Sequence, residues 1–171
     1  MRLVSEPCIT LVLAIYIALN KAGGIGMRTV SEIMVPNVQA IHRDQAIRDA
    51  ERLFITKNIS GAPIMDDLGG LVGFVSKTDI IRFDSTGEDP TYTRLYEIAN
   101  PKVVTIGASQ GINEAAQKML NEQVHHLVVM EGESMAGVLS AFDFVRLAAE
   151  FACNDDDEDI TENLFSHVDA S

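Results

Sequence analysis

The sequence predicts an α+β fold made of two β-α-β-β-α repeats packed about a pseudo-twofold axis. A motif that runs from Gly73 through Ser76 to Asp79 returns 64 residues later, from Gly137 through Ser140 to Asp143. Strand-like and helix-like patterns recur in the same order before each copy, at an offset of 65 residues that falls to 64 after a shorter turn. A persistent offset indicates an internal repeat. Because neither unit can cover its own sheet, the two are expected to pack together.

The first repeat begins with a predicted strand at Val38–Ile41, followed by a helix with Asp44 as its candidate N-cap. A second strand is predicted at Ala62–Met65, and the motif strand at Leu71–Val75 leads into a helix that opens at Asp79. The apolar residues of the first helix recur at helical spacing and predict one buried stripe: Ala46, Ile47, Ala50, Leu53 and Phe54.

The second repeat follows the same order. Strands are predicted at Val103–Ile106, His126–Met130 and Met135–Leu139. The helix between the first two is expected to be capped at Ser109, with five apolar residues facing inward: Ile112, Ala115, Ala116, Met119 and Leu120.

The chain divides into an apolar segment (1–26), repeat 1 (27–84), a linker (85–93), repeat 2 (94–152) and an acidic tail (153–171). The apolar run Cys8–Leu19 is compatible with a signal-peptide core, a packed helix, or a chain that starts at Met27. We expect residues 1–26 to be dispensable for folding, since they have no counterpart in the second repeat. The tail is expected to be solvated, because a block of like charge does not pack.

Composition restricts the partners. The chain has 171 residues, 47% of them apolar, and a formal net charge of −12. This charge argues against nucleic acid as a partner, because phosphates would be repelled. The two cysteines, Cys8 and Cys153, indicate neither a disulfide framework nor a metal site. His125 and His126 are adjacent on a strand, so their side chains point to opposite faces and do not predict a shared metal.

The motif can be interpreted in two ways. A strand-to-helix turn presents unpaired amides that can receive an anion. The Ser-x-x-Asp spacing, at Ser76 and Asp79 and again at Ser140 and Asp143, is also that of a capping box, which would satisfy those amides without a ligand. A glycine three residues before each serine is not needed for capping, and it indicates a close approach of backbone or ligand.

These residues resemble the CBS (cystathionine-β-synthase) domain, found as tandem pairs called Bateman modules, over Met27 to about Phe151. The resemblance rests on Ile33-Met34 with Pro36, on Ala62-Pro63-Ile64, and on Gly-x-x-Ser-x-x-Asp in both units. The second unit departs from the pattern at Ile98-Ala99 and Leu127-Val128. We expect these departures to weaken the base-side pocket of the second unit.

The resemblance implies a regulatory module that binds an adenosyl nucleotide (AMP, ADP, ATP, NAD or S-adenosylmethionine) in clefts between the units. Asp79 and Asp143 would accept hydrogen bonds from ribose hydroxyls, and Ser76 and Ser140 would contact ribose or phosphate. Lys77, Lys102 and His126 are further candidates for phosphate contacts. His126 and Lys102 are expected near the second cleft, where they would meet a phosphate. Loss of Asp143 should therefore reduce the affinity for phosphate-bearing ligands most.

No enzyme motif is present, so no catalytic residue, catalytic cofactor or metal is expected. The alternative to a sensor is a ligand-free interaction or dimerisation module. The helix after Ser140 has apolar residues on two sides, which predicts a homodimer, in agreement with the disk-like dimers of the resembled family. A regulated protein is a further candidate partner. We expect a cytoplasmic chain, although the apolar N-terminal stretch leaves a membrane-associated or exported chain as the alternative.

Overall fold

The structure is a computed structural model that describes residues 28–154, with side chains as far as residue 150. Residues 1–27 and 155–171, which include the predicted apolar segment and most of the predicted acidic tail, lie outside the described residues. The elements in chain order are α1 (Val30–Ile33), β1 (Val35–Pro36), β2 (Ile41–His42), α2 (Ile47–Lys57), β3 (Gly61–Met65), β4 (Leu71–Ser76), α3 (Lys77–Asp84), α4 (Leu95–Ile98), β5 (Thr105–Gly107), α5 (Ile112–Glu122), β6 (His126–Glu131), β7 (Ser134–Ser140) and α6 (Ala141–Asn154).

Two sheets confirm the predicted repeat. The first is three-stranded in the order β2-β3-β4, with β2 parallel to β3 and β3 antiparallel to β4. The second repeats this arrangement as β5-β6-β7 and adds β1 at its edge. The α+β class and the β-α-β-β-α order of both units are therefore as predicted. The strands predicted at Val38–Ile41 and Val103–Ile106 correspond to β2 and β5, which begin further along the chain and are shorter than predicted.

The segment that precedes each unit packs on the other unit. β1 pairs antiparallel with β7, so that Val35 lies opposite Val138 and Pro36 opposite Gly137. In the first unit, Phe74 exchanges two backbone hydrogen bonds with Asn100, at 3.0 and 2.9 Å. We call α1 with β1, and α4 with the residues up to Asn100, the two lead-in segments. Their exchange was not predicted, and it joins the units about the pseudo-twofold axis.

The exchange is also seen in the two hydrophobic cores. Val30 and Ile33 of the first lead-in segment are buried in the core of the second unit, with Leu139 and Phe144. Leu95 of the second lead-in segment is completely buried in the core of the first. Most of each predicted stripe is confirmed, since Ile47, Ala50, Phe54, Ile112, Ala115, Ala116 and Met119 are all buried, whereas Ala46, Leu53 and Leu120 are only partly buried.

Both helix caps proposed from sequence are wrong. α2 has Ala46 and not Asp44 at its N-cap, and α5 has Gly111 and not Ser109. In α2 the first amides donate to backbone carbonyls of the linker region, Ile47 to Thr93 at 3.1 Å and Arg48 to Pro90 at 3.0 Å. In α5 the Ile112 amide donates to the Arg28 carbonyl at 3.2 Å. Because chain segments distant in sequence satisfy these amides, no capping side chain is required.

The close packing of the lead-in segments explains why Gly73 and Gly137 carry no side chain. A Cβ atom on Gly137 would collide with the Val35 carbonyl oxygen and lie 3.1 Å from the Met34 sulfur. A Cβ atom on Gly73 would lie 3.3 Å from both the Ala99 Cβ atom and the Asn100 carbonyl oxygen. The close approach that the sequence indicated is therefore made by protein backbone. Among residues 28–154, no helix is long and apolar enough to cross a membrane.

Candidate functional site

The first motif forms the capping box that its spacing predicts. Asp79 Oδ2 accepts from the Ser76 amide at 2.9 Å and from the Ser76 hydroxyl at 2.6 Å. In return, the Asp79 amide donates to Ser76 Oγ at 3.4 Å, so α3 begins with both partners engaged. Among the described residues, the only charged group near the other oxygen, Oδ1, is the Arg82 guanidinium at 3.6 Å. The carboxylate therefore caps the helix with one oxygen and presents the other.

The second motif makes the same contacts and adds one. Asp143 Oδ2 accepts from the Ser140 amide and from the Ser140 hydroxyl, each at 2.7 Å. Its Oδ1 accepts from Arg146 Nη2, also at 2.7 Å. The Asp143 side chain is 4% exposed, against 20% for Asp79. The two motif aspartates thus share their chemistry and differ in accessibility.

A cavity of about 220 Å³ lies beside the second motif. One wall is the first lead-in segment, with Ile33 and Met34, and the other is α6, with Asp143, Arg146 and Leu147. Two acidic residues and a further arginine complete its lining: Glu32, Glu150 and Arg28. The surface that lines the cavity is almost entirely polar, and it brings a carboxylate and a guanidinium together, as binding of a charged, hydrogen-bonding ligand requires.

The exchange of lead-in segments corrects one prediction. The departure Ile98-Ala99 was expected to weaken the pocket of the second unit, in which it occurs along the chain. In the structure Ile98 and Ala99 pack on the core of the first unit, with Ala99 against Gly73 of the first motif. The irregular pair therefore lies beside the strand of the first motif, and the regular pair Ile33-Met34 lies beside Asp143.

His126 lies between the two units. Its Nε2 atom is 2.9 Å from Ser60 Oγ, a contact between β6 and the start of β3. Its ring packs on Phe74 of the first motif strand, with the ring centres 5.1 Å apart. Burial, and then the charge of His125, lower the pKa of His126 to about 4, against a smaller opposing effect of Asp79. His126 is therefore neutral at pH 7 and lies beside the first unit, not in the cavity at Asp143 as expected.

The two candidate lysines are not gathered at either aspartate. Lys102 Nζ donates to Glu122 at 2.7 Å, and this hydrogen bond lowers the pKa of the Glu122 carboxyl. Lys102 is absent from the cavity beside Asp143, where it was expected to contribute charge. Lys77 is exposed at the start of α3, and its amide donates to the Ser60 carbonyl at 2.9 Å.

The sequence interpretation missed Arg82 and Arg146. Each follows its motif aspartate by three residues, and residues three apart on a helix are neighbours on its surface. The Asp-x-x-Arg spacing, present in both copies, was the available signal. Arg146 also donates to the Ile33 carbonyl oxygen at 3.4 Å, a contact that only the lead-in exchange brings about.

One group of metal-ligand types lies elsewhere on the surface. His42, Asp44 and Asp67 come together at the end of β2. The His42 ring is already engaged, because Nε2 lies 3.1 Å from Asp67 Oδ1 and Nδ1 lies 3.3 Å from the Asp44 amide. These contacts account for the cluster without a metal ion.

Comparison with known proteins identifies two matches to the CBS domain model, at residues 30–86 and 95–150. Protein MJ1225 of Methanocaldococcus jannaschii is 29% identical over 124 residues, which are 69% of this chain and 42% of the relative. The chain spans less than half of the length of the first curated relatives that it matches.

Solved structures agree with this fold. The structure of CBSX2 in complex with AMP is 25% identical, covers 72% of this chain and 98% of that one, and has a TM-score of 0.62. The CBS domain pair of protein MJ0100, in complex with 5′-methylthioadenosine and S-adenosylmethionine, covers 73% and 98%, with 23% identity and a TM-score of 0.67. The paired units described above are thus also present in proteins crystallised with adenosyl ligands.

Proposed function

Because this chain belongs to the CBS domain family and carries two copies of the domain, we propose that it is a regulatory module that binds an adenosyl nucleotide. AMP, ADP, ATP, NAD and S-adenosylmethionine are the candidate ligands. The module would report ligand concentration to a protein that it regulates and would carry out no catalysis itself. We propose residues 27–84 and 94–152 as the two units, joined by the linker 85–93.

The observation that carries the proposal is the divided role of Asp79. Its Oδ2 satisfies the helix start, while Oδ1 lies 3.6 Å from the Arg82 guanidinium, whose side chain is 71% exposed, and the Asp79 side chain remains 20% exposed. An ionised carboxylate is a strong acceptor for the hydroxyls of a cis-diol, because the hydrogen bonds are charge-assisted. Capping and ribose binding are therefore compatible in one side chain.

The remaining candidate residues receive roles that fit their surroundings. Ser76 and Ser140 hold the motif carboxylates in place, and Asp143 is the second ribose acceptor. His126 is neutral at pH 7, so it would act as a hydrogen-bonding and stacking group and not as a counter-charge. Lys77 is the proposed phosphate contact of the first cleft, and Lys102 must leave Glu122 before it can contribute.

Support for an adenosyl ligand comes from the geometry and from a relative. The cavity beside Asp143 brings a carboxylate and a guanidinium together on a polar surface, as the ribose and phosphate of a nucleotide require. CBSX2, at 25% identity over most of this chain, binds AMP. We extend that ligand class, and not the individual ligand, to this protein.

The test is a thermal-shift and calorimetric screen of the five ligands against the full chain and its Asp79→Asn and Asp143→Asn variants. A ligand that binds only the folded state at 100 times its Kd should stabilise the protein by about 2.7 kcal/mol. Asparagine keeps an oxygen that can accept from the Ser76 or Ser140 amide but is not charged, so each variant should retain this capping contact and lose affinity about tenfold or more. If both variants bind every ligand as tightly as the parent, the motifs are capping boxes only.

The second candidate function, a ligand-free interaction module, is favoured by the apolar surface of α6. Phe142 is 70% exposed on this helix, although Phe144 and Leu147 on its other side are buried. The screen separates the two functions, because an interaction module would show no stabilisation by any adenosyl ligand while still associating through α6.

A further inference from the structure

We infer that Arg146 makes the cleft beside Asp143 selective for adenosyl ligands that carry a phosphate. The inference rests on the proposed function, since it concerns which ligands one of the two proposed clefts accepts. A ribose diol reaches Asp143 by displacing the Arg146 guanidinium. A phosphate on the same ligand gives the displaced guanidinium a new partner, whereas an uncharged ligand does not.

Asp143 is engaged on both of its oxygens. Oδ2 accepts two hydrogen bonds from Ser140, and Oδ1 accepts one from Arg146 Nη2 at 2.7 Å. The same nitrogen lies 3.4 Å from the Ile33 carbonyl oxygen. Arg146 therefore bridges the two walls of the cavity, from α6 to the first lead-in segment. With the Asp143 side chain only 4% exposed, a ribose hydroxyl reaches Oδ1 when this bridge opens.

The first cleft provides the comparison within the same molecule. Arg82 holds the position of Arg146 one repeat earlier, three residues after Asp79. Its Nη1 atom is 3.6 Å from Asp79 Oδ1, and its side chain is 71% exposed against 51% for Arg146. In this cleft a ligand displaces a loosely held guanidinium that water already solvates. The same motif therefore discriminates less against uncharged ligands at Asp79 than at Asp143.

The selectivity follows from an exchange of partners. Moving Arg146 away from Asp143 breaks a charge-assisted hydrogen bond. The ribose diol that takes its place donates to the carboxylate, but it gives the guanidinium no new partner. A phosphate restores the guanidinium side as well, because the fork of five donors on arginine matches a phosphate. One unreplaced charge-assisted hydrogen bond corresponds to about tenfold or more in affinity. We therefore expect AMP to bind this cleft at least about tenfold more tightly than adenosine.

The experiment measures AMP and adenosine binding to the full chain by calorimetry, in an Asp79→Asn background that weakens the first cleft. Arg146→Met is compared with Arg82→Met, its counterpart in the first unit. Arg146→Met should lower the affinity for AMP about tenfold and leave the affinity for adenosine unchanged or higher. The preference for AMP should therefore disappear. Arg82→Met should leave the preference unchanged. An equal effect of the two substitutions would overturn the inference.

Two more variants keep the test decisive if Arg146→Met proves unstable, since it leaves the Asp143 carboxylate without its cation. Arg146→Gln can still donate to Asp143 but carries no charge, so the preference for AMP should again be lost. Arg146→Lys keeps the charge and should retain a preference for AMP. An undiminished preference in Arg146→Gln would contradict the inference.

The failure of this inference is distinguishable from that of the proposed function. If Asp143→Asn weakens AMP binding but the Arg146 variants leave the preference for AMP unchanged, the cleft is a nucleotide site and only the selectivity of Arg146 is wrong. If neither aspartate variant alters AMP binding, the proposed function fails, and the inference fails with it.

Discussion

His126 makes a side-chain contact between the two units. Its contact with Ser60 joins β6 to the start of β3, and its ring covers Phe74. A buried imidazole is stable in its neutral form, because burial disfavours the charged form. Protonation of His126 therefore opposes this contact, which adds to the strand pairing and core packing of the lead-in segments.

The pKa of His126 predicts a loss of stability in acid. The pKa is about 4 in the folded chain against an ordinary 6.5, so the unfolded chain binds the proton first as the pH falls. Stability should decrease from about pH 6.5 downward and level off near pH 4, by at most about 3 kcal/mol. Urea unfolding at pH 7 and pH 5 measures this loss, which should be about 2 kcal/mol for the parent.

His126→Gln is the matched variant, because glutamine can still hydrogen-bond to Ser60 but does not titrate. The comparison of two pH values within each protein removes the cost of the substitution itself. The variant should lose clearly less stability between pH 7 and pH 5 than the parent. Equal losses in the two proteins would mean that other groups, and not His126, cause the acid sensitivity.

At the scale of elements, the pairing of β1 with β7 makes Gly137 a more constrained position than Gly73. A methyl group there meets the Val35 carbonyl oxygen, which belongs to a paired strand and moves only if the strand does. We expect Gly137→Ala to destabilise the fold by about 2 kcal/mol, as overpacking does. Gly73→Ala should cost less, since its nearest neighbours are at 3.3 Å. Chemical denaturation measures both, and a reversed order would contradict the packing described.

The elements themselves were largely predictable, because local periodicity determines them. The buried stripe of α2, with Ile47, Ala50 and Phe54, follows from helical spacing alone. The capping contacts between Ser76 and Asp79 follow from their separation of three residues. These features depend on residues close in the chain, and the sequence displays them directly.

The exchange of lead-in segments could not be predicted from the same patterns. The pairing of Val35 with Val138 joins residues about a hundred positions apart and leaves no periodic signal. The wrong caps at Asp44 and Ser109, and the unexpected surroundings of His126, share this cause. Each of them depends on how the units pack, and not on the units themselves.

At the scale of the whole molecule, α6 presents an apolar face that residues 28–150 leave exposed. Phe142 is 70% exposed, Val145 is half-buried and Ala149 is exposed. On α3, Ile81 holds the position of Val145 and is 67% exposed. Apolar residues on the outer faces of both helices after the motifs are typical of a surface that a second copy covers. We propose a homodimer through these helices.

Phe142→Glu should convert the dimer to a monomer, because it places a charge in the apolar interface. Leu68→Glu is the control, since Leu68 is 95% exposed in the turn between β3 and β4 and away from α6. Light scattering at high micromolar concentration should give twice the chain mass for the parent and the control, and the chain mass for Phe142→Glu. A monomeric parent would contradict the dimer.

The lead-in exchange also determines how sequence variants of this protein are to be interpreted. Met34 belongs to the first unit by its place in the chain, yet it lines the cavity beside Asp143 of the second. Ala99 belongs to the second unit, yet it packs against Gly73 of the first. The two repeats are therefore not free to diverge independently. A substitution in the lead-in segment of one repeat changes the surroundings of the motif in the other. The two repeats must therefore be interpreted together when variants are compared.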